Sequence, residues 1–365
     1  MDTTRLIARF CRYVSCDSES KNEREFCELI EAELKDLGLN VTRDEVGEKC
    51  CSNGWNVYAS LPGEGEPILF SAHMDTVPPG VGIQPVVKGG AIYSSGDTVL
   101  GADDKAGIAA VMEALAIIKE SGAAHRPIEV LFSVCEEVGL LGAKHADYSN
   151  IKSRQAVVLD SSVQGSIVNN APARVELHAE ITGRSAHAAI DPDKGINAVK
   201  AAAAAIALIP SGVVDGCTVM NVANFLAPGK SNIVPEKASF NIDLRSFDMA
   251  RLEERIQQID SALKAACQEI GATYKLEADR QCGILFVPPE SALIARLQEV
   301  YASLGVPSKI ERTYGGADTT WIFFNGIDAV NIGTGMTDVH STGEHISLAD
   351  LETLTKVVLG MMEPV

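Results

Sequence analysis

Residues 70–75, with the sequence F-S-A-H-M-D, place two polar side chains at the end of an apolar segment. The residues before them, 67–70, are typical of a buried strand that arrives at a turn. Side chains two residues apart in an extended segment point the same way, so His73 and Asp75 can face one site. Open α/β sheets bind their ligands at the carboxyl ends of strands. The pair therefore fits a metal ligand with a carboxylate that orients it, or a hydrogen-bonded structural histidine.

The size and charge of the chain exclude several classes of protein. Its 365 residues are enough for two domains. The net charge of −18 disfavours a nucleic-acid partner, whose phosphates would be repelled. No apolar run has the length of a membrane span, and residues 1–10 lack the apolar core of a signal peptide. Nine cysteines without regular spacing indicate free thiols. We therefore expect a cytoplasmic protein with neither a nucleic-acid nor a membrane partner.

A second polar stretch, G-D-T-V-L-G-A-D-D-K-A-G at residues 96–107, precedes an apolar helix predicted at 108–118. Two aspartates and a lysine are costly to bury unless they have partners. One carboxylate has two oxygens and can bridge two metal ions, and an aspartate can also cap a helix. Asp103 is the predicted bridge, with Asp104 as the alternative.

The third stretch, C-E-E-V-G at residues 135–139, follows a predicted strand at 127–134. Adjacent side chains at a strand end point in opposite directions. Glu137 can therefore bind a metal while Glu136 acts as a general base, the two roles that metal-assisted hydrolysis requires. The alternative is a solvated pair that opens the next helix. A further strand, 156–159, ends at Asp160.

The composition changes near residue 173, where polar and apolar residues begin to alternate. The order of elements from there is β-α-β-β-α-β, as in a ferredoxin-like unit. We predict an α/β protein with a mixed-sheet domain formed by residues 1–172 and 284–365. A ferredoxin-like α+β domain, residues 173–283, is inserted into it.

The strand-end residues form a set with the composition of a two-metal site: His73, Asp103, Glu137, Asp160 and His340. Two imidazoles and three carboxylates, one of them bridging, give each ion one imidazole and carboxylate oxygens. This set suits zinc. The chemistry that it predicts is a water shared by two ions, deprotonated near neutral pH and delivered to a carbonyl carbon.

Several motifs resemble one known family in their sequence and order. They are S-A-H-M-D-T, L-G-A-D-D-K-A-G-I-A, E-E-V-G-L-L-G-A, V-L-D, S-A-H-A in the insert, and N-I-G-T-G with a following histidine. Over essentially the whole chain they resemble the di-zinc aminopeptidase/carboxypeptidase/aminoacylase metallopeptidases, most specifically the peptidase T-like branch. The resemblance implies a zinc-peptidase catalytic domain with an inserted lid and dimerisation domain. It implies that His73 and Asp160 hold one zinc, Glu137 and His340 the other, and that Asp103 bridges them.

The resemblance also implies roles around the metals. Asp75 would orient the first histidine, and Glu136 would be the general base. His187 would polarise the substrate carbonyl, although a plain surface histidine is the alternative. Asn232 and Arg245 match positions that bind the substrate backbone or carboxylate, and Arg245 could equally form a strand-end ion pair. The loop with Gly315, Gly316 and Asp318 resembles the family's substrate loop, with the same alternative of a structural role.

The implied activity is hydrolysis of the N-terminal peptide bond of short peptides, including tripeptides, through a metal-bridging water. The implied cofactors are two divalent ions, zinc first, with cobalt or manganese as alternatives. The implied assembly is a homodimer through the inserted domain. An N-acyl amino acid deacylase or a carboxypeptidase would use the same metal site. A third possibility is a non-enzymatic binding protein that keeps the fold.

Overall fold

The computed structural model describes residues 2–364. The chain forms two compact units. The first contains the residues up to Asn170 together with those from Phe286 onward, and the second is Ala171–Leu285. In the sequence, the second unit is thus an insertion within the first.

The described residues contain ten α-helices. They are α1 (Thr3–Val14), α2 (Arg24–Asp36), α3 (Val46–Cys50), α4 (Ala102–Ser121), α5 (Leu141–Lys144), α6 (Ala198–Leu208), α7 (Met249–Ile270), α8 (Ala292–Ser303), α9 (Thr319–Phe324) and α10 (Leu348–Met362). Within residues 2–364, none of these helices combines the length and apolarity needed to cross a bilayer.

The strands number eighteen in the same part of the chain. They are β1 (Asn40–Arg43), β2 (Val57–Leu61), β3 (Ile68–His73), β4 (Pro85–Lys88), β5 (Ala91–Ser94), β6 (Ile128–Ser133), β7 (Gln155–Ser161), β8 (Ser166–Ala171), β9 (Ala173–Thr182), β10 (Gly212–Val213), β11 (Thr218–Leu226), β12 (Lys237–Ser246), β13 (Thr273–Cys282), β14 (Leu285–Phe286), β15 (Lys309–Arg312), β16 (Asp328–Gly333), β17 (Met336–Thr337) and β18 (His345–Ser347).

The largest sheet has the order β1-β2-β6-β3-β7-β16-β8-β14, with β15 paired to β8. Its four central strands are parallel to one another: β6, β3, β7 and β16. The strand β1 is antiparallel to β2, and β2 is antiparallel to β6. Every residue of β3 and β6 is buried, as expected for strands covered on both faces. The mixed sheet that the sequence predicted is confirmed.

The helix α4 lies at the centre of the first unit's core. It is buried around its circumference, and every residue from Ala102 to Ala116 is buried. It packs on β3 and β7 and against α1 and α10. The sequence predicted this helix from residue 108, whereas the structure begins it at Ala102 and includes a non-helical step at Asp103 and Asp104. That step brings both aspartates to the carboxyl ends of the parallel strands.

The inserted unit has a five-stranded antiparallel sheet with the order β10-β11-β12-β9-β13. Its four long strands have the chain order and pairing of a ferredoxin-like unit, which confirms the predicted α+β insert. The alanine-rich helix α6 and the longer α7 pack on it, and α6 contributes four buried alanines. The small side chains let α6 approach the sheet closely. This packing accounts for the apolar composition of a segment that is too short to span a membrane.

A candidate metal centre

The imidazole of His73, the last residue of β3, is fixed by a backbone carbonyl. Its Nδ1 lies 2.9 Å from the carbonyl oxygen of Asp75. A carbonyl only accepts, so Nδ1 carries the hydrogen and Nε2 presents its lone pair. Nε2 lies 3.1 Å from Oδ1 of Asp103 and 3.9 Å from Oδ1 of Asp160. The ring is therefore oriented as metal-binding imidazoles are.

The carboxylate of Asp103 lies between the two histidines. Oδ1 faces His73, and Oδ2 lies 3.2 Å from Nε2 of His340. The same Nε2 lies 2.7 Å from Oε1 of Glu137. The five residues collected from the sequence thus meet at one place, with each oxygen of Asp103 directed at a different imidazole.

Asp104, the alternative to Asp103, is fully buried and faces backbone amides. Its Oδ2 accepts from the amide of His73 at 3.3 Å, and its Oδ1 accepts from the amide of Gly107 at 3.3 Å. Ligand atoms of His73, Asp104 and Asp160 lie within 4.8 Å of one another, as do those of His73, Asp103 and Glu137. Burial raises the pKa of Asp104 well above its ordinary value, and its hydrogen bonds hold the end of β3 to the start of α4.

Asp75 does more than the sequence predicted. Its Oδ1 lies 3.5 Å from Nδ1 of His73, the expected orienting contact. The same carboxylate accepts hydrogen bonds from the backbone amides of Glu136 at 2.9 Å and Glu137 at 3.2 Å, and from the hydroxyl of Ser20 at 2.7 Å. One buried carboxylate therefore positions an imidazole and the backbone of both glutamates.

Glu344 is a buried residue of the site that the sequence reasoning missed. Its Oε2 accepts from the amides of Leu100 and Gly101, both at 2.8 Å, and its Oε1 accepts from the amide of Asp103 at 3.0 Å. These bonds fix the loop that carries Asp103. The only sequence signal was a glutamate in a Gly/Thr loop between two histidines, His340 and His345.

Asp318 adds a further buried carboxylate near the centre. It accepts a hydrogen bond from the hydroxyl of Ser133, the last residue of β6. Its Oδ1 is buried and has no hydrogen-bond partner within residues 2–364. Burial raises the pKa of Asp318 to about 6, and its charge contributes to the raised pKa of Glu136.

The electrostatics of the site favour a bound cation. Burial, and then the charge of Asp160, raises the pKa of Glu136 well above its ordinary value. Burial and the charge of Asp103 do the same to the pKa of Asp160. A hydrogen bond to Asp103 raises the pKa of His340 to about 9. Carboxylates crowded in a poorly solvated place are stabilised by positive charge, and with two imidazoles they form a donor set that fits two divalent ions.

Two substrate-binding candidates of the insert, His187 and Asn232, are neighbours. His187 pairs with Ile233, and the amide of Ala188 donates to the carbonyl of Asn232 at 3.0 Å. Nδ1 of the exposed His187 accepts from the amides of Ala189 and Ile190, both at 3.2 Å. An accepting Nδ1 places the hydrogen of the neutral ring on Nε2.

Arg245, the third candidate, lies elsewhere in the insert. Its Nε and Nη2 bind both oxygens of Asp243 at 3.0 and 2.9 Å, the strand-end ion pair that the sequence left open. Arg245 is opposite Arg174 at one end of the β12/β9 pair, and Lys237 is opposite Thr182 at the other. Eight residues of strand separate the two ends, roughly 27 Å. The segment that carries His187 follows Thr182, so it begins at the opposite end of this strand pair from Arg245.

The family comparison covers most of the chain. Peptidase family M20/M25/M40 matches residues 69–363. The uncharacterized protein YqjE of Bacillus subtilis (strain 168) is 33% identical over 362 residues, 98% of each chain. Peptidase T of Escherichia fergusonii is 26% identical over 407 residues, also 98% of each. The chain belongs to peptidase family M20/M25/M40.

Two solved structures share the fold over nearly their whole length. Aminopeptidase PepT from Bacillus cereus ATCC 10987 has a TM-score of 0.93 at 32% identity, covering 99% of this chain and 98% of that one. A tripeptidase from Staphylococcus aureus subsp. aureus mu50 has a TM-score of 0.95 at 30% identity, covering 100% and 98%. Within the family, the chain is a peptide hydrolase of the peptidase T-like branch.

Proposed function

We propose that the chain is a di-zinc aminopeptidase that removes the N-terminal residue of short peptides, with tripeptides as substrates. The observation that carries the proposal is Asp103, whose two oxygens face His73 and His340. The similarity to an aminopeptidase PepT and to a tripeptidase, each at 30% identity or more, supports the choice of substrate.

The proposed ligands divide into two groups around Asp103. His73 and Asp160 would hold one ion, and Glu137 and His340 would hold the other. In support, Nε2 of His340 is 2.7 Å from Oε1 of Glu137, and Nε2 of His73 is 3.9 Å from Oδ1 of Asp160. Bound ions would supply Lewis acidity toward the peptide carbonyl and would lower the pKa of a water in the site.

Glu136 acts as the general base in this proposal. It takes the proton of the attacking water and passes it to the leaving amine. Its burial supports the role, because poor solvation raises the pKa of Glu136 above that of a solvated carboxylate and so makes it a stronger base. Asp75 holds the amide of Glu136 at 2.9 Å and so fixes the backbone from which the carboxylate extends.

The proposed substrate contacts are His187, Asn232 and Arg245. His187 has the tautomer that leaves an Nε2–H to donate to a carbonyl oxygen. Since Arg245 and Lys237 lie at opposite ends of β12 and Asn232 precedes Lys237, we assign Arg245 to a different part of the substrate or to the ion pair with Asp243.

A hydrolysis screen tests the proposal. The protein is stripped of metal, reloaded with zinc, cobalt or manganese, and assayed with free tripeptides, N-acetylated tripeptides and N-acyl amino acids. We expect metal-dependent cleavage of free tripeptides only. Cleavage of the acylated compounds would instead assign a deacylase or carboxypeptidase. Turnover by none of the loaded forms would contradict the proposal.

A variant pair tests the role of Glu136. Glu136→Gln keeps the side-chain volume and removes the base, so kcat should fall by about 10²–10⁴-fold. The matched control is Glu269→Gln on the exposed face of α7, which should keep full activity. A Glu136→Gln enzyme that retains kcat would remove Glu136 from the mechanism.

We also propose that the chain forms a homodimer through the insert. The support is a group of exposed apolar side chains there, including Phe225 and Leu226 at the end of β11. Light scattering after gel filtration measures the mass, and Leu226→Glu should shift a dimer toward monomer. A monomer at all concentrations would refute this assignment.

A further inference from the structure

A cavity of about 430 Å³ lies in the first unit at the amino ends of the parallel strands. Its lining includes residues 64–67, which precede β3, together with Arg126, Arg154, Gln155 and Arg296. Arg126 precedes β6, and Gln155 begins β7. His73 and Asp160 lie at the carboxyl ends of these strands, so the cavity is at the opposite edge of the sheet from the candidate metal centre.

Arg126 is a buried cation whose partners are neutral. It is only 4% exposed, and its Nε donates to the carbonyl of Glu66 at 2.7 Å while Nη2 donates to the carbonyl of Pro67 at 3.3 Å. In the part of the chain that the structure describes, no carboxylate lies within ion-pair distance of it. Burial, and then the like charge of Arg296, lowers the pKa of Arg126. The charge of Glu66 opposes this shift, but only from beyond ion-pair distance. A buried guanidinium without a close counter-charge is costly unless an anion joins it.

Two further guanidinium groups line the same cavity. Arg296, on α8, has a buried Nε without a partner within residues 2–364, and its ion pairs to Glu299 and Glu363 are with exposed carboxylates. Arg154 is exposed, and its side chain makes no hydrogen bond or ion pair with the described residues. Three arginines that share one cavity are unusual in a chain with a net charge of −18.

The amino end of a helix reaches the same place. Ala292, which lines the cavity, is the first residue of the twelve-residue helix α8. The hydroxyl of Ser291 accepts from the amide of Ile294, but the first amides of a helix have no partner inside it. Such amides and the helix dipole favour a negative group.

We propose that this cavity binds a phosphate group, carried either by inorganic phosphate or by a small phosphate monoester. Guanidinium forks match the spacing of phosphate oxygens, and a helix amino end completes a phosphate site. Glu64 and Glu66 also line the cavity, so three positive groups face two negative ones. The volume is in the range of pockets for small organic ligands, which leaves room for the organic part of a monoester.

The test is calorimetric titration of the metal-loaded full-length protein with inorganic phosphate and, separately, with glycerol 3-phosphate, at constant ionic strength. We expect saturable binding of at least one of them. A monoester that binds at least ten times tighter than inorganic phosphate assigns the cavity to a metabolite. Equal affinity assigns it to the free ion.

The metal centre could also bind phosphate. Variants of the cavity arginines distinguish phosphate binding in the cavity from phosphate binding at the metal centre. Arg154→Gln should weaken binding about tenfold or more and leave tripeptide hydrolysis unchanged, because the exposed Arg154 side chain makes no hydrogen bond or ion pair with the described residues and lies at the opposite edge of the sheet from the metal centre. The double variant Arg154→Gln with Arg296→Gln should abolish binding, and Arg251→Gln on the exposed face of α7 is the control.

The outcomes are independent of the proposed peptidase activity. Absence of saturable binding by either phosphate would overturn the inference. Binding that is equally strong in Arg154→Gln and in the double variant would place the anion elsewhere and would overturn it as well.

Discussion

Glu344 offers a sharp test of how the candidate centre is held together. Its buried carboxylate accepts three amide hydrogen bonds, two on Oε2 from Leu100 and Gly101 and one on Oε1 from Asp103. The substitution Glu344→Gln keeps the shape of the side chain. The amide oxygen can replace Oε2, but the NH₂ group then faces the donor of Asp103.

The expected cost follows from this geometry. One bond to a charged acceptor is lost and its donor stays buried, which costs about 1.5–3 kcal/mol. The two remaining bonds lose the assistance of the charge, so the upper half of that range is the expected loss in the free energy of unfolding. Because the amide that is released belongs to Asp103, the affinity for metal should also fall, by about 10–100-fold.

Urea unfolding of the metal-free protein measures the first effect, and competition with a chromophoric chelator measures the second. Glu269→Gln is the control, since an exposed side chain should change stability by about 0.5 kcal/mol or less. If Glu344→Gln unfolds at the same urea concentration as the parent and keeps its metal affinity, the amide bonds do not position Asp103 and the reasoning fails.

Three further predictions use other contacts of the site. Asp75→Asn should lower metal affinity or activity by about 10–100-fold with little change in far-UV circular dichroism, and parental values for both would contradict its positioning role. Gly107→Ala should cost about 1–3 kcal/mol in urea unfolding, since a Cβ would lie 2.6 Å from Oδ1 of Asp104 and 2.9 Å from the carbonyl of Leu159. Gly96→Ala, with open space around it, is the matched control. Removal of metal by a chelator should lower the melting temperature, because ions at 100 times their Kd contribute about 2.7 kcal/mol, and an unchanged melting temperature would argue against a metal site.

The parts of the fold that the sequence predicted well are those with strong periodicity. The helix Met249–Ile270, the second helix of the predicted β-α-β-β-α-β order, has apolar residues that recur at helical spacing between Asp248, an N-cap, and Gly271 at a positive φ. The buried strands β3, β6 and β7 were found as apolar runs that end in polar residues. Parallel pairing then brings those ends to one edge, which is why His73, Glu137 and Asp160 could be grouped without a structure.

The parts that the sequence did not predict depend on contacts between distant segments. The hairpin of β4 and β5 has little alternation to mark it, and it joins β18 in a separate small sheet. Arg245 had two interpretations, and only the register of β12 with β9 shows that it lies at the opposite end of the strand pair from Thr182, after which the loop of His187 begins. Glu344 has no periodic neighbour at all, so its contacts with Asp103, 241 residues earlier, follow only from the fold.

Asp75 shows how a local prediction can miss the shortest contacts of a side chain. Its spacing from His73 indicated an orienting role, and the carboxylate does lie 3.5 Å from Nδ1. Its shorter contacts, however, are with Ser20 and the amide of Glu136, 61 residues away, because β3 and β6 run parallel and end together. One side chain thus couples the imidazole of the first proposed ion to the backbone of the proposed base. A loss of activity in Asp75→Asn therefore cannot be assigned to metal binding alone, and comparing its metal affinity with its kcat at saturating metal is what separates the two effects.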